Sequence, residues 1–295
     1  MVMFKSLPGH LILVNRLSKA SYLAKWMMLA LLFISNVVFS WNALGHQLIA
    51  QIAYNQLTPQ TKKLFNHYNQ ALNKNYSTSS LVNAAVWLDV VSYLNMRKLQ
   101  PLHYIDIPFS TDGSKLLPPD SNNAVSAIEQ AINTLKNSHA SLCDKGFSTR
   151  ILLHVIGDIH QPMHTISRYS KHLPKGDKGG NLFYLSHNGV ANNLHGYWDN
   201  GGGWLRPRNK YTQANLNKKA IMINRKWPCN KIKQKTPQQW AQESWQIAVN
   251  KAYLINEKQK PDKHYRNMVK KLTEKRIAIA GCRLAFVLNS QAFSK

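Results

Sequence analysis

Apolar residues recur at three- and four-residue spacing through most of the chain, a pattern that predicts helices. Two start signals are explicit, because Thr58-Pro59 and Thr236-Pro237 each place a capping hydroxyl before a proline at the first helical position. We expect helices at about 42–56, 59–73, 79–95, 122–140, 148–160, 212–224, 237–257 and 263–289. The pattern therefore indicates an all-α fold.

A few segments depart from the helical pattern. We expect an extended piece over 102–108 and a small β-hairpin over 181–192, turned by Asn188-Gly189. Glycine-rich stretches at 175–180 and 200–203 have the composition of loops beside a site. No internal repeat or break in composition divides the chain after residue 40. One domain over residues 41–295 is the simplest interpretation.

Residues 1–40 have the pattern of a secretory signal peptide. A basic segment without acidic residues precedes an apolar stretch at 26–39, which is shorter than the roughly 20 residues of a membrane-spanning helix. Val38 and Ser40 suit the −3 and −1 positions of cleavage before Trp41. The alternative is an anchor that stays attached. We expect cleavage, a secreted or periplasmic product and no stable membrane association.

The charge balance points to a polyanionic partner. The chain has 38 Lys and Arg against 13 Asp and Glu, a formal charge of +25, and the leader accounts for only four of the basic residues. An exported chain of about +21 suits nucleic acid or an anionic membrane surface. At 44% hydrophobic residues, wholesale disorder is excluded. Cys143, Cys229 and Cys282 allow at most one disulfide, and their spacing does not choose the pair.

Histidine and aspartate recur at spacings that suit a metal site. His154-x3-Asp158 places both side chains on one helical face, and the proline at 162 ends the helix so that His164 turns back toward them. A second such pair is His195-x3-Asp199. One pair alone would favour a surface ion pair. Two pairs together favour a metal, and neutral imidazole and carboxylate are ligands that zinc accepts.

Asp89 and the start of the exported chain extend this set. Asp89 ends the apolar run 84–88, and a buried carboxylate without compensation costs several kcal/mol. An exposed position on an amphipathic helix is the alternative. Cleavage before Trp41 would create an amino group that, together with the Trp41 carbonyl, chelates a metal ion. His46 follows about one helical turn later.

Together these residues resemble the zinc-dependent single-strand nucleases of fungi and the bifunctional nucleases of plants, with bacterial relatives. The family shares a fold with bacterial zinc-dependent phospholipases C. The matching segments run in order along the chain: Trp41 to His46, Trp87-Leu88-Asp89, His103 to Asp106, His154 to His164, Gly179-Gly180-Asn181, Leu194 to Asp199 and Ala280 to Ala285.

The resemblance implies a helical domain with a cleft that holds three zinc ions. It assigns the first zinc to Asp89, His103, His154 and Asp158. It assigns the second to the Trp41 amino and carbonyl groups, His46 and the bridging Asp158. It assigns the third to His164, His195 and Asp199.

The resemblance also implies roles around the metals. Asp89 and Asp158 are the expected catalytic residues, Tyr104 stacks on a base, Asp106 accepts hydrogen bonds from the base edge, and Asn181 lies beside the scissile phosphate. His160 is a candidate support for the ligands. The chain departs from the family at Ser92, where an arginine often stands, which leaves Arg97 or a lysine as alternatives.

We therefore expect a monomeric endonuclease that cleaves single-stranded DNA and RNA, leaves 5′-phosphate products and removes the 3′-phosphate of nucleotides. A zinc-dependent phospholipase C is the alternative enzyme, although its last ligand pair is His-x3-Glu and this chain has Asp199. A basic nucleic-acid-binding module with structural zinc is a third interpretation. Structural zinc sites are typically closed and rich in cysteine, and this chain has three Cys.

Overall fold

Most of the predicted helices are present in a computed structural model, which describes residues 41–73, 76–93, 97–206 and 211–292. The single helix predicted over 79–95 is instead two helices, because the chain leaves the helical path after Ala84. The predicted signal peptide lies outside these residues. The α-helices of the described part are α1 (Ala43–Gln56), α2 (Pro59–Ala71), α3 (Leu81–Ala84), α4 (Trp87–Tyr93), α5 (Ala124–Lys136), α6 (Leu142–Asp158), α7 (Leu194–Asp199), α8 (Gln213–Lys226), α9 (Pro237–Lys251) and α10 (Lys263–Ala292). The all-α fold class is confirmed.

Side-chain caps set most of the helix starts. The hydroxyls of Thr58 and Thr236 accept the backbone N–H groups of Thr61 and Gln239, as the two Thr-Pro signals predicted. Helix α6 begins at Leu142, six residues before the predicted start, because Ser141 caps it by accepting the Asp144 N–H. Its cap lies in a polar, exposed first turn, where no apolar periodicity reveals a helix.

Helix α6 runs through the centre of the core. It packs against α2 and α5, while α10 packs against α1, which also contacts α8. Gly281 permits the close approach of α10 to α1, since a Cβ there would lie 2.7 Å from the Cβ of Ile52. From Gly146 to Asp158, nearly every α6 residue is buried. The His-x3-Asp pair at its carboxyl end is therefore surrounded by protein.

The β-structure differs from the predicted hairpin. Two short strands, β1 (Pro108–Ser110) and β2 (Ser167–Tyr169), pair in parallel, with Phe109 opposite Arg168. The segment that was expected to form the hairpin makes one isolated antiparallel bridge, between Tyr184 and Asn193. The side chain of Asn188 binds the loop backbone itself, and this local turn replaces a longer strand ladder.

Short 3₁₀ helices connect these elements. They lie at Arg97–His103, Pro162–His164, Gly201–Gly203, Cys229–Lys231 and Ala252–Leu254. Cys229 and Cys282 form a disulfide, which leaves Cys143 as an exposed free thiol. Every helix in the described residues is too short or too polar to span a lipid bilayer.

Candidate metal centre

His154 and Asp158 lie one turn apart on α6, as the sequence predicted. The Nε2 atom of His154 is 3.2 Å from Oδ2 of Asp158, and neither side chain is exposed. The helix buries its carboxyl half in the core, and Pro162 begins the 3₁₀ turn that returns His164 toward the same region. The pair is therefore the centre of a site and not a surface ion pair.

Three further side chains converge on this pair to form what we call the first cluster. Helix α1 supplies His46, whose Nε2 is 3.3 Å from Oδ1 of Asp158. The 3₁₀ helix before β1 supplies His103, whose Nδ1 is 3.1 Å from Oδ2 of Asp158. Helix α4 supplies Asp89, with Oδ1 at 3.4 Å from Nε2 of His154. Elements that are distant in sequence thus meet at one point.

His164, His195 and Asp199 form the second cluster. The Nε2 atoms of His164 and His195 lie 3.6 Å and 3.5 Å from the carboxylate oxygens of Asp199. Both Nε2 atoms are buried and have no hydrogen-bond partner among the residues that the structure describes. A buried nitrogen without a hydrogen-bond partner destabilises the fold. The convergence of both atoms on one carboxylate therefore favours a metal-binding role for the cluster.

Backbone carbonyls fix the orientation of three of the imidazoles. The Nδ1 atoms of His154, His164 and His195 lie 2.6, 2.8 and 2.8 Å from the carbonyl oxygens of Ala85, His103 and Gly179. A carbonyl only accepts, so in the neutral ring Nδ1 carries the proton and the lone pair of Nε2 faces the cluster. Metal-binding histidines are held in this way.

The potential ligand atoms fall into sets that partly match the prediction. Ligand atoms lie within 4.8 Å of one another in three sets: His46, Asp89 and His154; His103, His154 and Asp158; and His164, His195 and Asp199. The last set contains the residues of the predicted third site. The first two share His154, and His46 of the first set also lies 3.3 Å from Asp158 of the second. The assignment of single ligands to single ions stays a prediction.

The first cluster holds its carboxylates ionised. Burial alone would raise the pKa of Asp158, but the charge of His154 and hydrogen bonds from the surrounding imidazoles outweigh it and hold that pKa well below its usual value. The pKa of Asp89 is lowered in the same way by His154. The two carboxylates in turn raise the pKa of His154 well above its usual value, despite its burial. A proton on His154 therefore occupies the place where a cation would be favourable.

The second cluster lacks such compensation. Burial raises the pKa of Asp199 to about 8, against the opposing effect of His195. Burial also lowers the pKa of His195. A divalent cation would stabilise the buried carboxylate and take up the two unbonded Nε2 atoms. The residues present thus fit a metal ion by charge, by donor type and by the direction of their lone pairs.

Trp41 lies against both clusters. Its indole Nε1 donates to the carbonyl of Gly157, the residue before Asp158, at 3.0 Å. The next backbone N–H, that of Asn42, donates to the carbonyl of Asp199 at 3.2 Å. Residue 41 is therefore placed beside the ligands. Chelation by its amino and carbonyl groups stays a prediction, because Ser40 lies outside the described residues.

The predicted substrate residues border the second cluster. Tyr104 and Asp106 are partly buried, and the Ile105 N–H between them donates to the carbonyl of His164 at 2.8 Å. Burial, together with the charge of Asp177, raises the pKa of Asp106 to about 6. Burial and Asp106 raise the pKa of Tyr104, so its phenol stays protonated at neutral pH.

Asn181 lies on the glycine-rich loop whose Gly179 carbonyl holds His195. Its side-chain amide donates to the carbonyl of Lys178 at 2.8 Å, so it stands beside the ligands and not among them. The side chains of Ser92 and Arg97 lie outside the part of the chain whose side chains the structure describes. The replacement for the family arginine therefore stays open.

Two buried polar residues support the site without having been assigned a role from sequence. Gln161 donates from Nε2 to Oδ1 of Asp199 at 2.6 Å and accepts the Met163 N–H. Asp177 accepts the N–H groups of Arg168 and Gly180 and the hydroxyl of Tyr253, which fixes the glycine-rich loop. The sequence signal for the role of Asp177 was an acidic residue beside three glycines, in a chain with only 13 acidic residues.

His160 supports the turn between the clusters. Its Nε2 lies 2.9 Å from Nη1 of Arg283, and its carbonyl accepts from Nε of Arg276 at 2.9 Å. Glu243 pairs with both arginines. Burial and the arginine charges lower the pKa of His160 well below its usual value, so the ring is neutral. The turn that carries His164 is thus anchored to α10.

Comparison with known proteins finds a matching protein family. A family model described as S1/P1 Nuclease matches residues 41–293. Nuclease S1 of Aspergillus oryzae is 29% identical over 176 residues, 58% of this chain and 57% of that protein. Nuclease P1 of Penicillium citrinum is 27% identical over 172 residues, 54% of this chain and 57% of that protein. These alignments span little more than half the length of the fungal relatives.

A plant protein aligns over more of its length. Endonuclease 1 of Arabidopsis thaliana is 28% identical over 284 residues, which cover 85% of this chain and 87% of that protein. The family-model match includes every residue of both clusters, together with Trp41, Tyr104, Asp106 and Asn181. The chain belongs to the S1/P1 nuclease family.

Proposed function

We propose that the chain is a zinc-dependent endonuclease that acts outside the cytoplasm on single-stranded DNA and RNA. It hydrolyses phosphodiester bonds to leave 5′-phosphate products, and it removes the 3′-phosphate of nucleotides. The observation that carries the proposal is the pair of buried His and Asp clusters, with ionised carboxylates in one and inward-facing Nε2 atoms in the other. Such a site gathers positive ions where phosphate oxygens need them.

Three zinc ions are the proposed cofactors. The residues proposed to hold them are Trp41, His46, Asp89, His103, His154, Asp158, His164, His195 and Asp199. When bound, zinc lowers the pKa of water and offsets the charge that develops on phosphate oxygens. Asp89 and Asp158 are the proposed catalytic residues, since the lowered pKa of each keeps both ionised in the first cluster, where they would orient the reacting groups.

The residues beside the second cluster account for substrate binding. Tyr104 offers an aromatic plane, and stacking on such a plane accepts any base and contributes roughly 1–3 kcal/mol. Asp106 is ionised at neutral pH and accepts hydrogen bonds from a base edge. The amide of Asn181 donates to a phosphate oxygen. Recognition by stacking suits a single strand, whose bases are accessible.

Several findings support the remaining parts of the proposal. The names of the relatives include nuclease and endonuclease, and the family-model match begins at Trp41, the residue proposed to follow the cleaved leader. The Cys229–Cys282 disulfide suits an oxidising compartment. The basic surface suits a polyanionic substrate. We propose that the exported domain, 41–295, acts as a monomer.

The test compares purified wild-type protein with Asp158→Asn on a panel of substrates. The panel contains single-stranded DNA, single-stranded RNA, a DNA duplex, a 3′-nucleotide and phosphatidylcholine. We expect the wild-type protein to cut both single strands and release phosphate from the 3′-nucleotide. Asp158→Asn is expected to lose at least about 100-fold in rate, because it removes the charge of a carboxylate that contacts three imidazoles and is proposed to bind zinc.

The control variant is Asp144→Asn, which changes one exposed acid in the first turn of α6, at the end of that helix away from the clusters, and is expected to keep full activity. Circular dichroism checks that both variants remain folded. Cleavage of phosphatidylcholine without cleavage of either single strand would overturn the proposal in favour of a phospholipase C.

A further inference from the structure

A basic segment that the metal centre does not use lies between α8 and α9. Residues 225–235 contain five basic residues and no acidic residue, in a chain with only 13 acids. The side chains of Lys231, Lys233 and Lys235 are exposed, as are those of Arg225 and Lys226 at the end of α8. Sequence alone does not distinguish such a run from an ordinary solvated surface, so its placement in the fold decides the matter.

The fold attaches this segment firmly to α10. The Cys229–Cys282 disulfide joins the two, and the guanidinium of Arg283 donates to the carbonyl of Lys233 at 3.2 Å and 3.3 Å. This attachment also brings Lys275 of α10 close to the basic segment, with its Nζ 5.3 Å from the centre of the Trp227 ring. The Nζ of Lys226 lies 5.8 Å from the same ring. Two lysine ammonium groups thus lie close to one aromatic ring on a fixed backbone.

We call this surface the basic ridge and define it by Lys226, Trp227, Lys231, Lys233, Lys235 and Lys275. Its charge is only partly neutralised. Lys226 pairs with Glu274, and Lys235 pairs with Glu243, whose charge is shared with two buried arginines. Within the described residues, Lys231, Lys233 and Lys275 form no salt bridge. Three cations on a fixed backbone therefore face solvent with no salt-bridge partner among the described residues.

We propose that the basic ridge binds the sugar-phosphate backbone of a single strand that extends beyond the metal centre, with Trp227 as a plane for a base. The proposal rests on the proposed function. Lysines that contact phosphates release counterions, and aromatic rings among them accept unstacked bases. The ridge is built from α8, the 229–235 segment and α10, whereas the clusters are supplied by α1, α4, α6, α7 and the 3₁₀ turns.

The consequence is a second contact that acts only on long substrates. A strand held at the ridge keeps its other part at a high effective concentration near the clusters, so the KM for long strands falls while that for a dinucleotide does not. A nucleic acid fits better than an anionic membrane, because the ridge offers one partly buried indole and cations, without a cluster of exposed apolar side chains among its members.

The test uses the zinc-loaded protein and a triple variant, Lys231→Glu, Lys233→Glu and Lys275→Glu. The matched control is Lys63→Glu, Lys115→Glu and Lys136→Glu, which makes the same charge change at exposed lysines elsewhere. Fluorescence anisotropy measures binding of a phosphorothioate oligothymidylate of about 30 nucleotides, long enough to reach beyond one site. Cleavage of a dinucleotide and thermal unfolding check the metal centre and the fold.

We expect the ridge variant to bind the oligonucleotide at least about tenfold more weakly than the control variant does, and to lower the slope of log K against log salt by about 2. Dinucleotide cleavage should stay unchanged in both variants. Equal affinity and slope in the two variants would overturn the ridge proposal.

A membrane role is tested with vesicles that contain phosphatidylglycerol. Loss of vesicle binding in the ridge variant, with unchanged binding of the oligonucleotide, would also overturn the proposal. Failure of the wild-type protein to cut either the dinucleotide or an ordinary single strand would instead contradict the proposed function, so the two failures are distinguishable.

Discussion

At the scale of single residues, the centre is organised by hydrogen bonds on the far side of three of its imidazoles. Carbonyls of Ala85, His103 and Gly179 hold the Nδ1 atoms of three imidazoles, so the Nε2 atoms face inward. The pKa of Asp199 is raised to about 8 by burial, which means that a cation must displace a proton there below that pH. Orientation and charge together prepare the site for metal.

Gln161 should control metal binding in the second cluster. Its Nε2 donates to Asp199 at 2.6 Å and thereby stabilises the carboxylate that must be ionised to bind a cation. We expect Gln161→Leu to weaken the binding of one zinc ion by about 10- to 100-fold, the usual effect of losing such a supporting hydrogen bond. Competition with a chelating dye measures this affinity.

The control for Gln161 is Gln246→Leu, which removes an exposed amide on α9. Its zinc affinity should equal that of the wild-type protein. Equal affinity in Gln161→Leu and in the control would show that the hydrogen bond to Asp199 has no influence on the metal.

Asp106 should give substrate binding a pH dependence. Its pKa is raised to about 6, so it is ionised at pH 7 and takes up a proton as the pH falls through 6. A protonated carboxyl no longer accepts freely from a base edge. We expect the KM for short single strands to rise below pH 6 in the wild-type protein and to change less in Asp106→Asn. Steady-state kinetics from pH 5 to 8 measure the effect.

The same shift predicts a stability change of defined sign. Between pH 3.8, the ordinary pKa of an aspartate, and about pH 6, the folded protein keeps a proton on Asp106 that the unfolded chain has released. Its contribution to the free energy of unfolding therefore decreases as the pH rises through that window. Urea unfolding of Asp106→Asn should lack this part of the decrease. Identical pH profiles for both KM and unfolding would contradict the raised pKa.

The residues that meet in the two clusters were accessible from sequence. Spacing indicated His154 with Asp158 and His195 with Asp199. The resemblance to a known family implied how these and the other candidates would share three ions. Gln161 and Asp177 were not assigned, because their roles depend on partners such as Asp199 and Tyr253, which only the tertiary fold brings to them. The division of the first cluster between ions stays a prediction, because His154 belongs to both of its ligand sets.

At the scale of elements, the close packing of the glycine-rich loop against Met163 positions the Gly179 carbonyl that orients His195. Gly179 has φ +62°, and a Cβ there would lie 2.3 Å from the carbonyl oxygen of Met163. We expect Gly179→Ala to push the loop away from Met163, to weaken zinc binding in the second cluster by about tenfold or more, and to destabilise the fold. Zinc competition and urea unfolding measure the two effects.

A matched control separates the clash from backbone strain. Gly189 has φ +74° and open space where a Cβ would lie, so Gly189→Ala should cost about 1–2 kcal/mol from the left-handed conformation alone. Its zinc affinity should be that of the wild-type protein. If Gly179→Ala behaves like Gly189→Ala in both measurements, the close packing of the loop does not hold the ligand in place.

Elements that follow local rules were predictable, whereas those set by distant contacts were not. The Thr58 and Thr236 caps gave correct helix starts. The predicted helix over 79–95 is instead broken after Ala84, and at the break the Ala85 carbonyl accepts from His154. The β1 and β2 strands pair across more than fifty residues, which no local alternation reveals.

At the scale of the whole molecule, the disulfide should be the main covalent contribution to stability. It joins Cys229 to Cys282 across a sequence separation of 53 residues and fastens the basic segment to α10. We expect the double variant Cys229→Ser, Cys282→Ser to lose about 2–5 kcal/mol of unfolding free energy. Cys143→Ser, which changes the exposed free thiol, is the control and should leave stability unchanged. Equal unfolding of both variants would contradict this role.

The charge distribution is also a property of the whole chain. Asp89, Asp158, Asp177 and Asp199 are largely buried, while most of the lysines are exposed. The surface is therefore more basic than composition alone indicates, and the few carboxylates at the centre serve the clusters and the loop around them. Composition predicted a polyanionic partner. The fold places most of the lysine side chains on the surface, where they would neutralise the phosphates of such a partner.

The most direct test of the proposed metal chemistry is a titration of chelator-treated protein with zinc, followed by the rate of single-strand cleavage and the bound zinc per chain. We predict that cleavage is lost on metal removal and returns in proportion as zinc approaches three ions per chain. Cleavage at the full rate in excess chelator, in protein that contains no bound metal, would contradict a zinc-dependent nuclease.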